Sequence, residues 1–185
     1  MSEKYSNQRD TNEETVRTHS RHQGMLIVRI RGCPSCFPGP KRHNLEPMST
    51  APLTVLLVED DANDTLLLER AFHRANLTSL LRVVTDAEQA MAYLDSEDPP
   101  PSLLLLDINL PRTSGLELLE WVRKKAAPLK DLPVIVLTSS RDTEDIDRAY
   151  ALGANSYMAK PGGNFDGLAQ MVKEFDRATS PKPRR

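Results

Sequence analysis

Polar residues stand where apolar runs stop. "LLLLDINLP" carries Asp107 directly after four leucines, and "VLLVEDD" carries Glu59, Asp60 and Asp61 after another apolar run. Thr138 and Ser139 close "VIVLTSS", and Lys160 closes "YMAKP". One acid after a strand is usually a turn former or a helix cap, and Asp61 is read that way, as the N-cap of the first helix. Three carboxylates in one small site are different. At about 4 Å and an effective dielectric near 20, each like-charged pair costs on the order of 4 kcal/mol. Protonation, a bound divalent cation or the Lys160 ammonium could offset that repulsion. A hard cation with oxygen ligands, Mg2+ before others, fits best.

Such a site needs a scaffold that brings distant segments together. From Thr54 onward, apolar runs alternate with helical periodicity. "TVLLV", "LLRVV", "SLLLL", "PVIVL" and "NSYMA" read as five strands. Between and after them, "ANDTLLLERAFHRA" places Leu66, Leu67, Arg70 and Ala71 at amphipathic spacing, and "DAEQAMAYL" starts on Asp86 with Ala87, Ala90, Met91 and Leu94 on one face. "SGLELLEWVRKKA" turns Leu116, Leu119 and Val122 inward, "DTEDIDRAYALG" is closed by Gly153, and "FDGLAQMVKEF" is the last helix. Five apolar strands alternating with five helices predict an α/β fold with a parallel sheet covered on both faces. In open sheets of this kind, functional groups gather at the carboxyl ends of the strands, near the point where strand order reverses. If the doubly wound sheet has the flavodoxin-like order 2-1-3-4-5, the first and third strands are neighbours and Glu59, Asp60 and Asp107 converge.

Composition narrows the class. With 27% charged and 39% apolar residues the chain is expected to be a water-soluble globular protein, and its net charge of −2 gives no prior for nucleic acid or membrane. No apolar run approaches the roughly 18 residues of a spanning helix, and "MSEKYSNQRD" lacks the order of a signal peptide. A cytoplasmic protein is expected. Residues 1–47 carry +3 and the remainder −5. That first segment is polar, lacks sustained periodicity and contains the breaker cluster "GCPSCFPGPKRHN". It is expected to be either a disordered extension or an upstream stretch from a start misassigned before Met48. "MLIVRI" is its one strand-like piece, without an obvious partner before the turn cluster. Cys33 and Cys36 form a C-x-x-C with His43 seven residues on, but prolines follow where a redox motif needs a helix, and a second ligand pair for zinc is lacking. They read as incidental thiols.

Taken together, "VLLVEDD", "LLLLDINLP", "VIVLTSS" and "YMAKP" resemble, in order and approximate spacing, the receiver domain of two-component response regulators. The resemblance covers Leu53 to about Phe175 and divides the chain into an extension (1–47), a receiver domain (48–176) and a short tail (177–185). Within that family, "EDDAND", "DINLP" and the single-domain build look most like the small regulators paired with phytochrome-type histidine kinases. The resemblance implies that Asp107 is the phosphoryl acceptor, that Asp60 binds Mg2+ directly and Glu59 through water, and that the backbone carbonyl of Asn109 completes the ligands. It matches Thr138 and Lys160 to groups on the phosphoryl oxygens, and Tyr157 to an aromatic that changes rotamer on activation. The implied protein is no enzyme toward other substrates; it catalyses its own phosphorylation and dephosphorylation.

The implied partners are a sensor histidine kinase, phytochrome-like, or a phosphotransfer protein, together with a downstream protein target. Homodimers of this family can use the face of the fourth and fifth helices. "DRATSPKPRR" after Phe175 is too short for an output domain, so DNA binding is not expected. Glu59 stands where Asp is more frequent, and Gly162 and Gly163 follow Lys160-Pro161 where an apolar residue often sits, which should loosen the start of the last helix. A cis Lys160–Pro161 bond is expected. Two rivals differ in class. A receiver-like adaptor would bind partners without phosphorylation, against which the intact acidic set argues. A haloacid-dehalogenase-type phosphatase needs a general acid two residues after its nucleophile, where Asn109 stands.

Overall fold

The five apolar runs fold as one parallel sheet. In the computed structural model, which describes residues 19–22, 25–28, 53–77, 80–96, 100–139 and 143–179, the described elements start with β1 (His19–His22) and β2 (Met25–Val28). It continues through β3 (Thr54–Val58), α1 (Ala62–Arg74), β4 (Leu80–Val84), α2 (Ala87–Leu94) and β5 (Leu103–Asp107). Then come α3 (Gly115–Lys124), a short 3-10 turn (Leu129–Asp131), β6 (Val134–Thr138), α4 (Thr143–Ala151), β7 (Ser156–Ala159) and α5 (Asp166–Thr179). The parallel strands lie in the order β4-β3-β5-β6-β7. Counted among themselves, that is the expected 2-1-3-4-5.

The first segment departs from the expectation at one point. Met25–Val28 does have a partner: it runs antiparallel to β7, with Ile27 opposite Met158 and Val28 opposite Tyr157, and β1 pairs on its outer side. A strand's choice of a partner some 130 residues away leaves no local mark in sequence. Cys33, Cys36, His43 and Met48 lie outside the described residues.

Strand alternation divides the core between the two faces of the sheet. Leu56, Val58, Leu104, Leu106, Val134, Val136 and Tyr157 face α2, α3 and α4. Val55, Leu57, Leu103, Leu105, Ile135, Leu137 and Met158 face α1 and α5. All of β5 is buried, as both covered faces require.

Local signals set the helix ends. Asp61 caps α1, its carboxylate accepting from the backbone N–H of Asn63 at 2.7 Å and of Asp64 at 3.3 Å. Asp86 caps α2 through the Gln89 N–H. Ser114 and Glu117 form a reciprocal capping box at the start of α3. Gly153 stops α4 at φ 95°, a left-handed conformation that favours glycine. The inward face of α1 is displaced from its expected position: Leu68, Ala71 and Phe72 are buried, Arg70 is exposed and Leu66 is 44% exposed. Three consecutive leucines blur the period, so spacing alone could not choose among them.

Arg123 ties the amino-terminal side of the sheet. Its guanidinium donates to the carbonyls of Gly153, Lys130 and Leu132 and to Asn155 Oδ1, all within 3.1 Å. Burial lowers its pKa from the ordinary arginine value. The Lys160–Pro161 bond is trans, contrary to expectation; the cis bond among the described residues is Ala127–Pro128. Trans is the cheaper isomer by about 0.5–1 kcal/mol. The reversal after β7 is made instead by a turn in which the Asn164 N–H donates to the Pro161 carbonyl, with Gly163 at φ 127°.

Candidate functional site

Sheet hydrogen bonding continues past the strand ends. Glu59 N–H donates to Val84 O at 3.0 Å, Ile108 N–H to Leu137 O at 3.2 Å and Lys160 N–H to Thr138 O at 2.6 Å. The alternation of side chains therefore continues as well. Glu59 follows Val55 and Leu57, Asp107 follows Leu103 and Leu105, and Lys160 follows Met158, so all three fall on the α1/α5 side. Thr138 follows Val134 and Val136 and falls on the side of Tyr157.

Lys160 is the centre of this arrangement. Its Nζ lies 2.7 Å from a Glu59 carboxylate oxygen, 2.7 Å from Asp107 Oδ2 and 3.0 Å from Asp64 Oδ2. The Lys160 side chain is 8% exposed, with Glu59 at 2% and Asp107 at 3%. Burial by itself would disfavour the ammonium. The hydrogen bonds to Asp107, Glu59 and Asp64 more than offset it and hold the Lys160 pKa above its ordinary value. Burial pushes Glu59 up to about 7 and the charge of Asp107 adds to that, against the opposing pull of Lys160.

Asp107 is positioned at both oxygens: Oδ2 by Lys160, and Oδ1 by the Asn109 backbone N–H at 3.0 Å. The loop behind it is fixed on three sides. Ile108 and Leu110 are buried in the core. Arg112, in the left-handed region at φ 65°, reaches Asp86 at 3.0 Å and Glu88 at 3.2 Å, while Thr113 Oγ1 donates to Glu88 at 3.1 Å. Gly115 lies so close that a Cβ built on it would stand 1.9 Å from the Asp107 carbonyl oxygen. Its N–H donates to Ile108 O at 2.9 Å.

One carboxylate oxygen from each of Glu59, Asp60 and Asp107 lies within 4.8 Å of the others, with Asp60 exposed. These all-oxygen, anionic donors suit a hard divalent cation, so the three carboxylates of the expected metal set are brought together. Asn109 is exposed beside it. Thr138 is fully buried at the end of β6, and Ser139 is exposed. Tyr157 is 1% exposed, packed on the α4 side with its ring centroid 6.5 Å from that of Tyr150. Burial raises the Tyr150 phenol above its usual range. Sequence reasoning missed Asp64. The available signal was its place three residues after the cap Asp61, in the first helical turn following the acidic strand end.

Comparison with known proteins places this geometry. Residues 55–173 match the family model of the response regulator receiver domain. The chain is 36% identical, over 67% of its length and 81% of the relative's, to the probable methanogenesis regulatory protein FilR2 of Methanothrix harundinacea. It is 35% identical to the response regulator Rcp1 of Synechocystis sp., over 69% of this chain and 89% of that protein. The crystal structure of the Mn(2+)-bound form of Rcp1 superposes with a TM-score of 0.59 at 32% identity, covering 72% of this chain and 98% of that one. The phosphorylated cyanobacterial phytochrome response regulator RcpA superposes with a TM-score of 0.61 at 33% identity, covering 72% of this chain and 100% of that one.

Proposed function

The chain belongs to the response regulator receiver family, and on that premise we propose that it accepts a phosphoryl group on Asp107 from a histidine kinase phosphohistidine, in a Mg2+-dependent reaction, and signals by switching conformation and docking onto a protein target. The observation that carries this reading is the convergence of Glu59, Asp60 and Asp107 within 4.8 Å, with the Lys160 ammonium 2.7 Å from the acceptor carboxylate. A phytochrome-type kinase is the partner we favour, because RcpA is described as a phytochrome response regulator.

A carboxylate is a modest nucleophile toward phosphohistidine, so catalysis consists mainly of positioning and charge neutralisation. An Asp107 oxygen forms the new bond to phosphorus as the bond to the imidazole nitrogen breaks, and the imidazole departs. Lys160 holds the carboxylate from one side and the Asn109 N–H from the other, so the nucleophile turns little on reaction. A divalent cation held by Glu59, Asp60, Asp107 and the Asn109 carbonyl would offset the charge of carboxylate and phosphoryl oxygens together. The Thr138 hydroxyl, at the end of the neighbouring strand β6, donates to the new oxyanion. The buried Tyr157 ring belongs to one packing of β7 against α4, and in this proposal phosphorylation shifts the balance toward a second.

The rival phosphatase reading lacks support at Asn109, an exposed amide in place of the required acid. Among the described residues no helix is long and apolar enough to cross a membrane. Incubation with Mg2+ and a small acyl phosphate tests the proposal. Wild type is expected to be labelled and Asp107→Asn unlabelled; equal labelling of the two would overturn the assignment of Asp107, and unlabelled wild type would favour the phosphorylation-independent adaptor.

A further inference from the structure

The Lys160 ammonium has three N–H donors, and three carboxylates meet it. Glu59 and Asp107 come from strand ends and have roles in the reaction proposed above. Asp64 comes from the first turn of α1 and has none. An acid in a first turn is ordinarily explained by the positive end of the helix dipole, which needs no partner and leaves the carboxylate in water. Asp64 instead reaches 3.0 Å to the ammonium of a lysine whose side chain is 8% exposed, while its own side chain is 28% exposed. Its turn is fixed from behind, because its N–H donates to the cap Asp61.

The three contacts differ in what the reaction does to them. A phosphoryl group on Asp107 neutralises that carboxylate, so the N–H it accepted must turn to a phosphoryl oxygen. Glu59 lies in the cluster that would hold the cation. Asp64 lies outside that cluster and bears no phosphoryl group, so its hold on the ammonium is the same before and after transfer. We propose that Asp64 is a positioning residue that anchors Lys160 from the α1 side, so that Nζ stays in place while one of its N–H groups passes from the Asp107 carboxylate to the phosphoryl group. This rests on the reading of Asp107 as the acceptor. The residue acts through Lys160 and touches neither phosphorus nor metal.

The test uses the full chain, Mg2+ and acetyl phosphate, with the Asp107 labelling rate measured at saturating donor. Asp64→Asn keeps the shape of the side chain and removes its charge; the rate is expected to fall on the order of tenfold, as for loss of a hydrogen bond to a buried charge. The donor concentration at half-maximal rate and the Mg2+ affinity by calorimetry are expected to hold within about twofold, which a general loss of structure would not allow. In a Lys160→Gln background, Asp64→Asn is expected to lower the rate no further. An unchanged rate in Asp64→Asn, or a double variant whose fall is the product of the two single falls, overturns the proposal. Where Lys160→Gln labels too slowly to time, proton exchange at Lys160 Nζ is read by nitrogen NMR instead: faster exchange in Asp64→Asn supports the anchor, and unchanged exchange overturns it. Unlabelled wild type would overturn the functional reading and this one with it, whereas labelled wild type with multiplicative losses overturns this one alone.

Discussion

Lys160 Nζ and Asp107 Oδ2 are 2.7 Å apart although their strands, β7 and β5, are separated in the sheet by β6. A long side chain is needed to cross that strand, and it is 8% exposed. The site is therefore a buried ion cluster in which one cation serves several anions. Removing one member of such a cluster leaves uncompensated charge.

Replacing Lys160 by Gln should destabilise the metal-free protein by about 3–5 kcal/mol, the range for a buried ion pair broken on one side. Glu59 and Asp107 then face each other without their cation. A bound divalent cation would take over part of that neutralisation, so Mg2+ should restore more stability to Lys160→Gln than it adds to wild type. Urea unfolding of both proteins with Mg2+ and with a chelator checks this. Equal gains from Mg2+ would show that the ammonium and the metal do not share the same carboxylates.

Glu59 links the cluster to pH. Burial raises its folded pKa from 4.5 to about 7, so between those values the native state binds more protons than the unfolded chain. Stability from this group is full below about pH 4.5 and is lost as pH rises through about 7. In chelator, the urea midpoint should decline from pH 5.5 to 7.5, and Glu59→Gln should flatten that decline. A midpoint that climbs over the same interval in wild type, with Glu59→Gln unchanged, would contradict the assignment.

Gly115 is required where it stands. A methyl group there would meet the carbonyl oxygen of Asp107 at 1.9 Å and its carbonyl carbon at 2.8 Å, and backbone cannot give way as a flexible side chain can. Gly115→Ala should cost about 1–3 kcal/mol and slow labelling of Asp107 by moving the nucleophile. Gly162 is the control: a Cβ there meets nothing within 4 Å, so Gly162→Ala should leave both thermal midpoint and labelling near wild type. Similar losses in the two variants would mean that the close approach does not position Asp107.

Much of this was legible because parallel strands buried on both faces write themselves as unbroken apolar runs, and because each run ends at the edge where chemistry gathers. Asp61, Asp86 and Gly153 were readable as helix ends, since capping is a local matter. What was not legible depends on partners far apart in sequence. Asp64 looks like any first-turn acid until Lys160, from the other end of the chain, is placed beside it. Arg123 looks like a surface helix residue until the carbonyls of Gly153 and Leu132 surround it. The isomer of Lys160–Pro161 was expected from resemblance, and this chain's own turn at Pro161–Asn164 goes the other way.

The pairing of Met25–Val28 with β7 gives the last prediction. An exposed edge strand offers unpaired backbone groups to any neighbour, and here the chain's own β2 covers the edge that carries Tyr157 and Met158. Among the described residues, the parallel sheet, both core faces and the acidic cluster are built from Leu53 onward. A chain beginning at Met48 should therefore fold and label at Asp107 as the full chain does. Its difference should be confined to the edge, with faster hydrogen exchange at the β7 amides that β2 no longer shields. Mass spectrometry of peptides spanning β7, compared with those spanning β5, reads this directly. Unfolding of the shortened chain would show instead that the amino-terminal strands are part of the structural core, and unchanged exchange at β7 would show that they do not hold the edge in solution.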